Sequence, residues 1–339
     1  MCTDFLIVAA DKTAVNGRSM EFGLNLDSKL LVRAVGDKFQ SPSPKGLNGL
    51  SWTAKYGYVG LTARDFPVVV DGMNTQGLST GSLWLPGSSY PPVTNPSLAL
   101  ALEDFVGWVL GNFATVAEVQ SALTQGQAQV WEGKWMTSLL PLHFPIHDAQ
   151  GNSIVVEFMN GQVQFYPNPV GVLTNNPPFP MQLTNIGGYA GLTPWDAKPV
   201  EIGGQQFGPA GHGSGMMGLP GDSTPPSRFV RATYLKQYAQ APENAAEACN
   251  LAFHILNDVD IPRGTSRAMN PMINKEEDDY TQWVVVKDLT NKVLYTRFYG
   301  NMCVYSVNLS TLDFSQAAGK EYAVPSTPTS IDITSKLTT

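Results

Sequence analysis

The residues best placed to do chemistry begin at the second position of this chain. Cys2 follows Met1 directly and opens the apolar run CTDFLIVAA. Removal of Met1 would leave a thiol and a free α-amine on one residue. The amine titrates near ~8 and the thiol near ~8.5, so the amine can serve as the thiol's own base, the arrangement of an N-terminal nucleophile. An MC start alone is a weak signal, but three further residues add to it. Arg18, in NGRSMEF, falls on what reads as the neighbouring strand of a hairpin, where a guanidinium would stabilise a thiolate. Asn175 lies beside Asn176 in GVLTNNPPF, at the end of an apolar strand, where a side-chain amide can donate to a developing oxyanion. Arg228, in LPGDSTPPSRFVRATYLK, occupies the first turn of an expected helix. A cation there opposes the helix dipole, so a buried partner or a substrate would explain the placement. Taken singly, these three read as a surface arginine, a turn asparagine and another surface arginine.

The elements that must position them are mostly strands. Short apolar or alternating runs at 4–10, 29–35 and 56–63 sit between Gly, Asp and Asn turns, and 68–86 reads as strand, Gly-rich turn, strand. A helix is expected over 95–111, and another begins at Thr115, which has Glu118 at capping-box spacing. Strands return over 141–167, where Asn160-Gly161 signals a type I′ hairpin. The Gly- and Pro-rich stretch 177–222 reads as a long ordered loop. Helices follow over about 224–241 and 242–257, then a hairpin over 282–299 and a last strand at 302–308. Strands joined by hairpins rather than βαβ units indicate an α+β fold with antiparallel sheets. No internal repeat or composition break divides residues 1–339, so one domain is expected, with a polar tail from about 325.

Composition narrows the function. The chain has 339 residues, 43% of them hydrophobic, and a net charge of −7 with no basic run. That excludes a nucleic-acid surface, which needs clustered Lys and Arg. No apolar stretch is long enough to span a bilayer as a helix. Three cysteines, Cys2, Cys249 and Cys303, make no disulfide framework. His143, His147, His212 and His254 form no HExxH pattern and there is no paired CxxC, so no metal is expected. GSGMMG at 213–218 has the letters of a dinucleotide fingerprint but lacks the preceding strand and following helix.

Together Cys2, GRSMEF, DGMNTQGLSTGSLWLPG, GVLTNNPPFPMQLTN and GLPGDSTPPSRFVRA resemble the cholylglycine hydrolase family, which includes penicillin V acylases and conjugated bile salt hydrolases. The resemblance runs from Cys2 to the last strands, in order and at family spacing. It implies a four-layer αββα Ntn-hydrolase fold with two antiparallel sheets, and cleavage of a non-peptide amide without a cofactor. It also implies a homotetramer. In that family the N-terminal cysteine attacks the amide carbonyl to form a thioester, which water hydrolyses. By motif, Cys2 is then nucleophile and base, Arg18 the arginine beside the thiol, Asn175 the oxyanion-hole asparagine and Arg228 the arginine that organises the site. Two positions depart from the pattern. Glu21 stands where the family has an aspartate that binds the α-amine, so its reach is one methylene longer. Trp84 stands where bile salt hydrolases have Asn and some penicillin V acylases have Tyr. The family's oxyanion hole uses that residue's backbone N–H, whereas its side chain shapes the pocket.

Phe22 and Trp84 would place flat apolar surface near the acyl site, suiting a phenoxyacetyl group or a fatty acyl chain. This resembles the Gram-negative branch of the family, whose penicillin V acylases can also deacylate N-acyl-homoserine lactones and are commonly exported. The expectation is therefore a penicillin V or acyl-homoserine-lactone acylase of the periplasm, with its leader outside this sequence. A conjugated bile salt hydrolase and a cytoplasmic location are the alternatives. If Met1 is retained, the amine is blocked and a catalytically silent binding or scaffold protein follows.

Overall fold

The first strand is buried at every residue from Cys2 to Ile7, which a strand achieves only with a layer on each face. This is seen in a computed structural model that describes residues 1–64, 66–133, 140–270, 275–328 and 330–337. In chain order the large sheets and their covering helices are β1 (Cys2–Val8), β2 (Ala14–Phe22), β3 (Leu30–Arg33), β4 (Tyr58–Ala63), β5 (Phe66–Asn74), β6 (Ser79–Gly81), β7 (Leu83–Trp84), α1 (Phe105–Asn112) and α2 (Val116–Thr124). Then come β8 (Leu142–His147), β9 (Ser153–Met159), β10 (Gln162–Pro167), β11 (Val172–Leu173), α3 (Phe179–Ile186), α4 (Pro225–Tyr238) and α5 (Ala245–Asp258). The chain closes with β12 (Tyr280–Asp288), β13 (Val293–Phe298), β14 (Asn301–Asn308) and β15 (Glu321–Tyr322).

Among the described residues the first sheet has the order β11-β1-β2-β12-β13-β14, and the second β10-β9-β8-β6-β5-β4-β3-β15, with β7 added on β8. All these pairings are antiparallel. Helices α4 and α5 pack on β1, β2 and β12, whereas α1 packs on β5 and β6. One apolar core joins Val284, Val285 and Leu6 of the first sheet to Leu61, Met73 and Leu83 of the second and to Phe229 and Ile255 of the helices. A second core packs Phe105, Val109 and Leu110 on Phe144, Ile146 and Phe158. The layers therefore run helix, sheet, sheet, helix, as expected.

Strand alternation sorts the first sheet's side chains. Cys2 faces Met20 and Asp4 faces Arg18 across β1 and β2, and Val285 and Lys287 of β12 face Arg18 and Asn16. These residues share the face between the sheets. Thr3 points the other way, toward α4, where it meets Arg228. Local signals hold where the backbone demands them. Asn160 and Gly161 have φ of 55° and 70°, the left-handed pair of a type I′ turn. Thr115 Oγ1 accepts the Glu118 amide at 3.2 Å, capping α2.

Two expectations are corrected. The helix read over 95–111 forms as α1 at its end, with short 3-10 turns at Pro96–Leu98 and Leu102–Asp104. Before it, Ala99–Ala101 forms a buried strand parallel to Gln129–Trp131. The LALAL run alternates as well as it spirals, and the buried strand partner decides. The stretch 177–222 is not loop alone: it holds α3 and a small hairpin, Val200–Ile202 with Gln205–Phe207. In the polar tail, Thr334–Leu337 makes a helical turn, while residues 329, 338 and 339 lie outside the described residues.

Candidate active site

Cys2 Sγ lies on the inter-sheet face of β1, 3% exposed, with Met20 Sδ 3.7 Å away on the facing strand. The residue opposite Asp4 on β2 is Arg18, whose Nη2 reaches Cys2 Sγ at 3.5 Å. The guanidinium is wholly buried and anchored from the second sheet. Its Nη1 donates to Val70 O and Asp71 Oδ2, both at 2.9 Å, and Nη2 donates to Ser82 O at 2.5 Å. Burial opposes the Arg18 charge, but its interactions with Cys2 and the Asp71 carboxylate outweigh it and raise the Arg18 pKa above the usual value.

Arg228 approaches from the helical side. Its Nη1 donates to Cys2 O and Thr3 Oγ1, both at 2.6 Å, Nη2 to Asn175 Oδ1 at 2.9 Å, and Nε to Ser223 O at 3.0 Å. The buried partner that its place in the helix called for is the Cys2 backbone. Burial lowers the Arg228 pKa, with Glu21 and Cys2 opposing that shift. Asn175 follows β11, the edge strand beside β1. Its Oδ1 accepts the Cys2 N–H at 2.7 Å, and its Nδ2 donates to Trp84 O at 2.8 Å. An amide has two such N–H groups, so this bond uses one.

Met1 is in place, so the Cys2 nitrogen is a peptide N–H standing where the α-amine would be after processing. Met1 extends the β1–β2 ladder: its amine donates to Glu21 O, and Glu21 N donates to Met1 O at 2.9 Å. A bulge between Met20 and Glu21 shifts the β2–β12 register there and sets Glu21 beside Thr281. Glu21 Oε1 accepts the Thr281 hydroxyl at 2.9 Å. Its Oε2 is buried, 3.9 Å from Arg228 Nη1, with no hydrogen-bond partner among the described residues. Burial pushes the Glu21 carboxyl up, against the pull of Arg228 and the terminal amine.

Phe22 and Trp84 meet edge to face, with centroids 6.3 Å apart. Both line a pocket open to solvent, together with Cys2, Met20, Val70 and Leu142. The seven residues named from sequence thus come together near one thiol: Arg18 at the sulfur, Arg228 and Asn175 at the Cys2 backbone, Glu21 opposite Met1 and near Arg228, and Phe22 and Trp84 in the cavity that Cys2 lines.

Sequence reasoning missed Asp71 and Lys287. Asp71 Oδ1 takes the Lys287 Nζ at 2.6 Å, and all three members of the Arg18–Asp71–Lys287 chain are 0% exposed. A signal existed: VVVDGM and VVVKDL each set a charge in a run apolar enough to be buried on both faces, which requires an opposite partner. His143 and His147 serve the framework. His143 Nδ1 pairs with Glu157 Oε1 and its Nε2 with Thr174 O, both at 3.0 Å, and His147 Nε2 pairs with Asp4 Oδ1 at 2.6 Å. Among the described residues no His, Cys, Asp and Glu cluster is placed to hold a metal ion.

Comparison with known proteins follows the same lines. Residues 2–322 match the model of linear amide C–N hydrolases, choloylglycine hydrolase family. The chain is 30% identical over 325 residues to a bile salt hydrolase/transferase of Clostridium perfringens, covering 91% of this chain and 93% of that protein. The crystal structure of the mutant C2A conjugated bile acid hydrolase from the same organism superposes with a TM-score of 0.85 at 28% identity, covering 98% of this chain and 100% of that one. A penicillin V acylase structure from Agrobacterium tumefaciens gives 0.75 at 26% identity, covering 94% and 90%.

Proposed function

This chain belongs to the choloylglycine hydrolase family of linear amide C–N hydrolases, and from that premise we propose that it hydrolyses an N-acyl amide with an apolar acyl group through Cys2. Its fold is the Ntn-hydrolase sandwich of the bile acid hydrolase and the penicillin V acylase. The observation that carries the proposal is the Cys2 thiol 3.5 Å from the buried Arg18 guanidinium, on the wall of a largely apolar cavity.

In this reading, loss of Met1 frees the α-amine, which keeps the Asn175 Oδ1 contact and gains the unpartnered Glu21 Oε2. The amine takes the thiol proton, and Cys2 Sγ attacks the amide carbonyl. The tetrahedral oxyanion meets the second N–H of Asn175 Nδ2 and the Trp84 backbone N–H. A donor of this kind is worth roughly 10²–10³ in rate. The ammonium then passes its proton to the leaving amine as the C–N bond breaks. Water, deprotonated by the same amine, hydrolyses the thioester.

Phe22 and Trp84 favour a flat or extended apolar acyl group, hence a penicillin V acylase that also deacylates acyl-homoserine lactones. Conjugated bile salt hydrolysis is the second reading, favoured by the 30% identity to the Clostridium enzyme. A homotetramer and a periplasmic location belong to the proposal through the family resemblance alone.

A side-by-side assay of penicillin V, a long-chain acyl-homoserine lactone and glycocholate separates the readings. Preference for glycocholate selects the second. Cys2→Ala is expected to abolish turnover while the thermal melt is retained, and undiminished turnover in that variant would sink the mechanism. Intact mass completes the test: retained Met1 in an inactive sample points to a binding or scaffold protein.

A further inference from the structure

Arg18 does not face the thiol alone. Asp71 holds the guanidinium through Oδ2 at 2.9 Å and the Lys287 ammonium through Oδ1 at 2.6 Å, with no exposure at any of the three. Lys287 lies two residues along β12 from Val285, which pairs with Arg18. Both cations therefore share the inter-sheet face, and Asp71 reaches them from β5. The second sheet is shaped around this contact: a Cβ on Gly81 would fall 2.2 Å from Arg18 Nη1 and 2.3 Å from Asp71 Oδ2. The Trp283 ring lies 5.4 Å from the guanidinium carbon. Asp4 also faces Lys287 electrostatically, but it is engaged by His147 at 2.6 Å and Asn16 at 3.0 Å. One carboxylate thus bridges two buried cations, and Cys2 Sγ sits on the open side of one of them.

We propose that Lys287 is a positioning residue for the nucleophile: by holding one oxygen of Asp71 it draws that carboxylate's charge away from Arg18 and leaves the guanidinium to stabilise the Cys2 thiolate. The inference rests on the reading of Cys2 as nucleophile. Without Lys287, Asp71 and Arg18 close into a neutral pair, whose field at the sulfur is far weaker than that of a net cation at low dielectric. Neutralising Asp71 does the reverse. Arg228 also acts on Cys2, and neither change alters its charge.

The test is the rate of Cys2 alkylation by iodoacetamide at pH 6, followed by mass spectrometry of the N-terminal peptide of the processed protein. Lys287→Met is expected to slow alkylation about tenfold and Lys287→Arg by no more than about twofold. Asp71→Asn is expected to speed it. A role limited to packing would move the Met and Asn variants in the same direction, and that result overturns the proposal. So does a rate in Lys287→Met within about twofold of wild type. If Asp71→Asn does not fold by circular dichroism, the Met and Arg variants of Lys287 decide between them. The readout needs no amide turnover. A wild type inactive on every amide would defeat the functional reading and leave this comparison standing, whereas unchanged alkylation in an active enzyme defeats only the role of Lys287.

Discussion

Glu21 shows how much a single residue's setting matters. One carboxylate oxygen takes the Thr281 hydroxyl, while the other is buried and unpartnered 3.9 Å from Arg228. Such an oxygen costs stability unless a donor arrives, and in the proposed mechanism the freed α-amine is that donor. Burial raises the Glu21 pKa, so the unfolded chain loses this proton first. The native state is penalised as pH rises through the unfolded value near ~4. Glu21→Gln removes that penalty and keeps an acceptor for Thr281. The expectation is a denaturation midpoint of the Met1-bearing chain at neutral pH equal to or above wild type, with kcat of the processed enzyme at least about tenfold lower. An unchanged kcat would show that the amine does not depend on this carboxylate.

At the level of elements, the start of α1 carries a comparable cost. Asp104 precedes the helix, with its carboxylate accepting the Ser41 hydroxyl at 2.7 Å. Burial lifts its pKa to about 6. The unfolded group ionises near ~4, so the native state is penalised between those values and fully above the upper one. The cost at pH 7.5 is on the order of 3 kcal/mol. Asp104→Asn keeps the Ser41 contact and is expected to raise Tm by a few degrees at pH 7.5 and to change it little at pH 4. Equal shifts at the two pH values would show that the carboxyl does not titrate as argued. The same stretch shows why element boundaries were hard to read. LALAL suits helix and strand alike, and the parallel partner Gln129–Trp131 lies about thirty residues away.

For the whole molecule, the two sheets bring Arg18 and Asp71 together across the interior, and the helical layer brings Arg228 to the other side of β1. Outside that sandwich the stretch after α3 is exposed throughout its small hairpin. Trp195 is 79% exposed, Ile202 66% and Met217 83%. Apolar residues so exposed suit a subunit interface, consistent with the homotetramer proposed above. Light scattering is expected to find a four-chain particle that Ile202→Ser with Phe207→Ser weakens. A monomer at working concentration would remove assembly from the proposal.

Much of this was legible in the linear sequence because it rests on local rules. Asn160-Gly161 needs two left-handed residues whatever surrounds it, Thr115 caps α2 through the Glu118 amide, and Cys2 heads an apolar strand. The family motifs further supplied Arg18, Glu21, Asn175 and Arg228 in order along the chain. What the sequence by itself determined was therefore the residues and the strands and helices that carry them. Their partners were decided only by tertiary structure. Asp71 and Lys287 are far apart in the chain: Lys287 came beside Arg18 when β12 paired with β2, and Asp71 when the second sheet packed on the first. The charge on Arg18, the unmatched oxygen of Glu21 and the cavity at Phe22 and Trp84 all depend on that packing, because burial and Coulomb interaction depend on distance in space rather than along the chain.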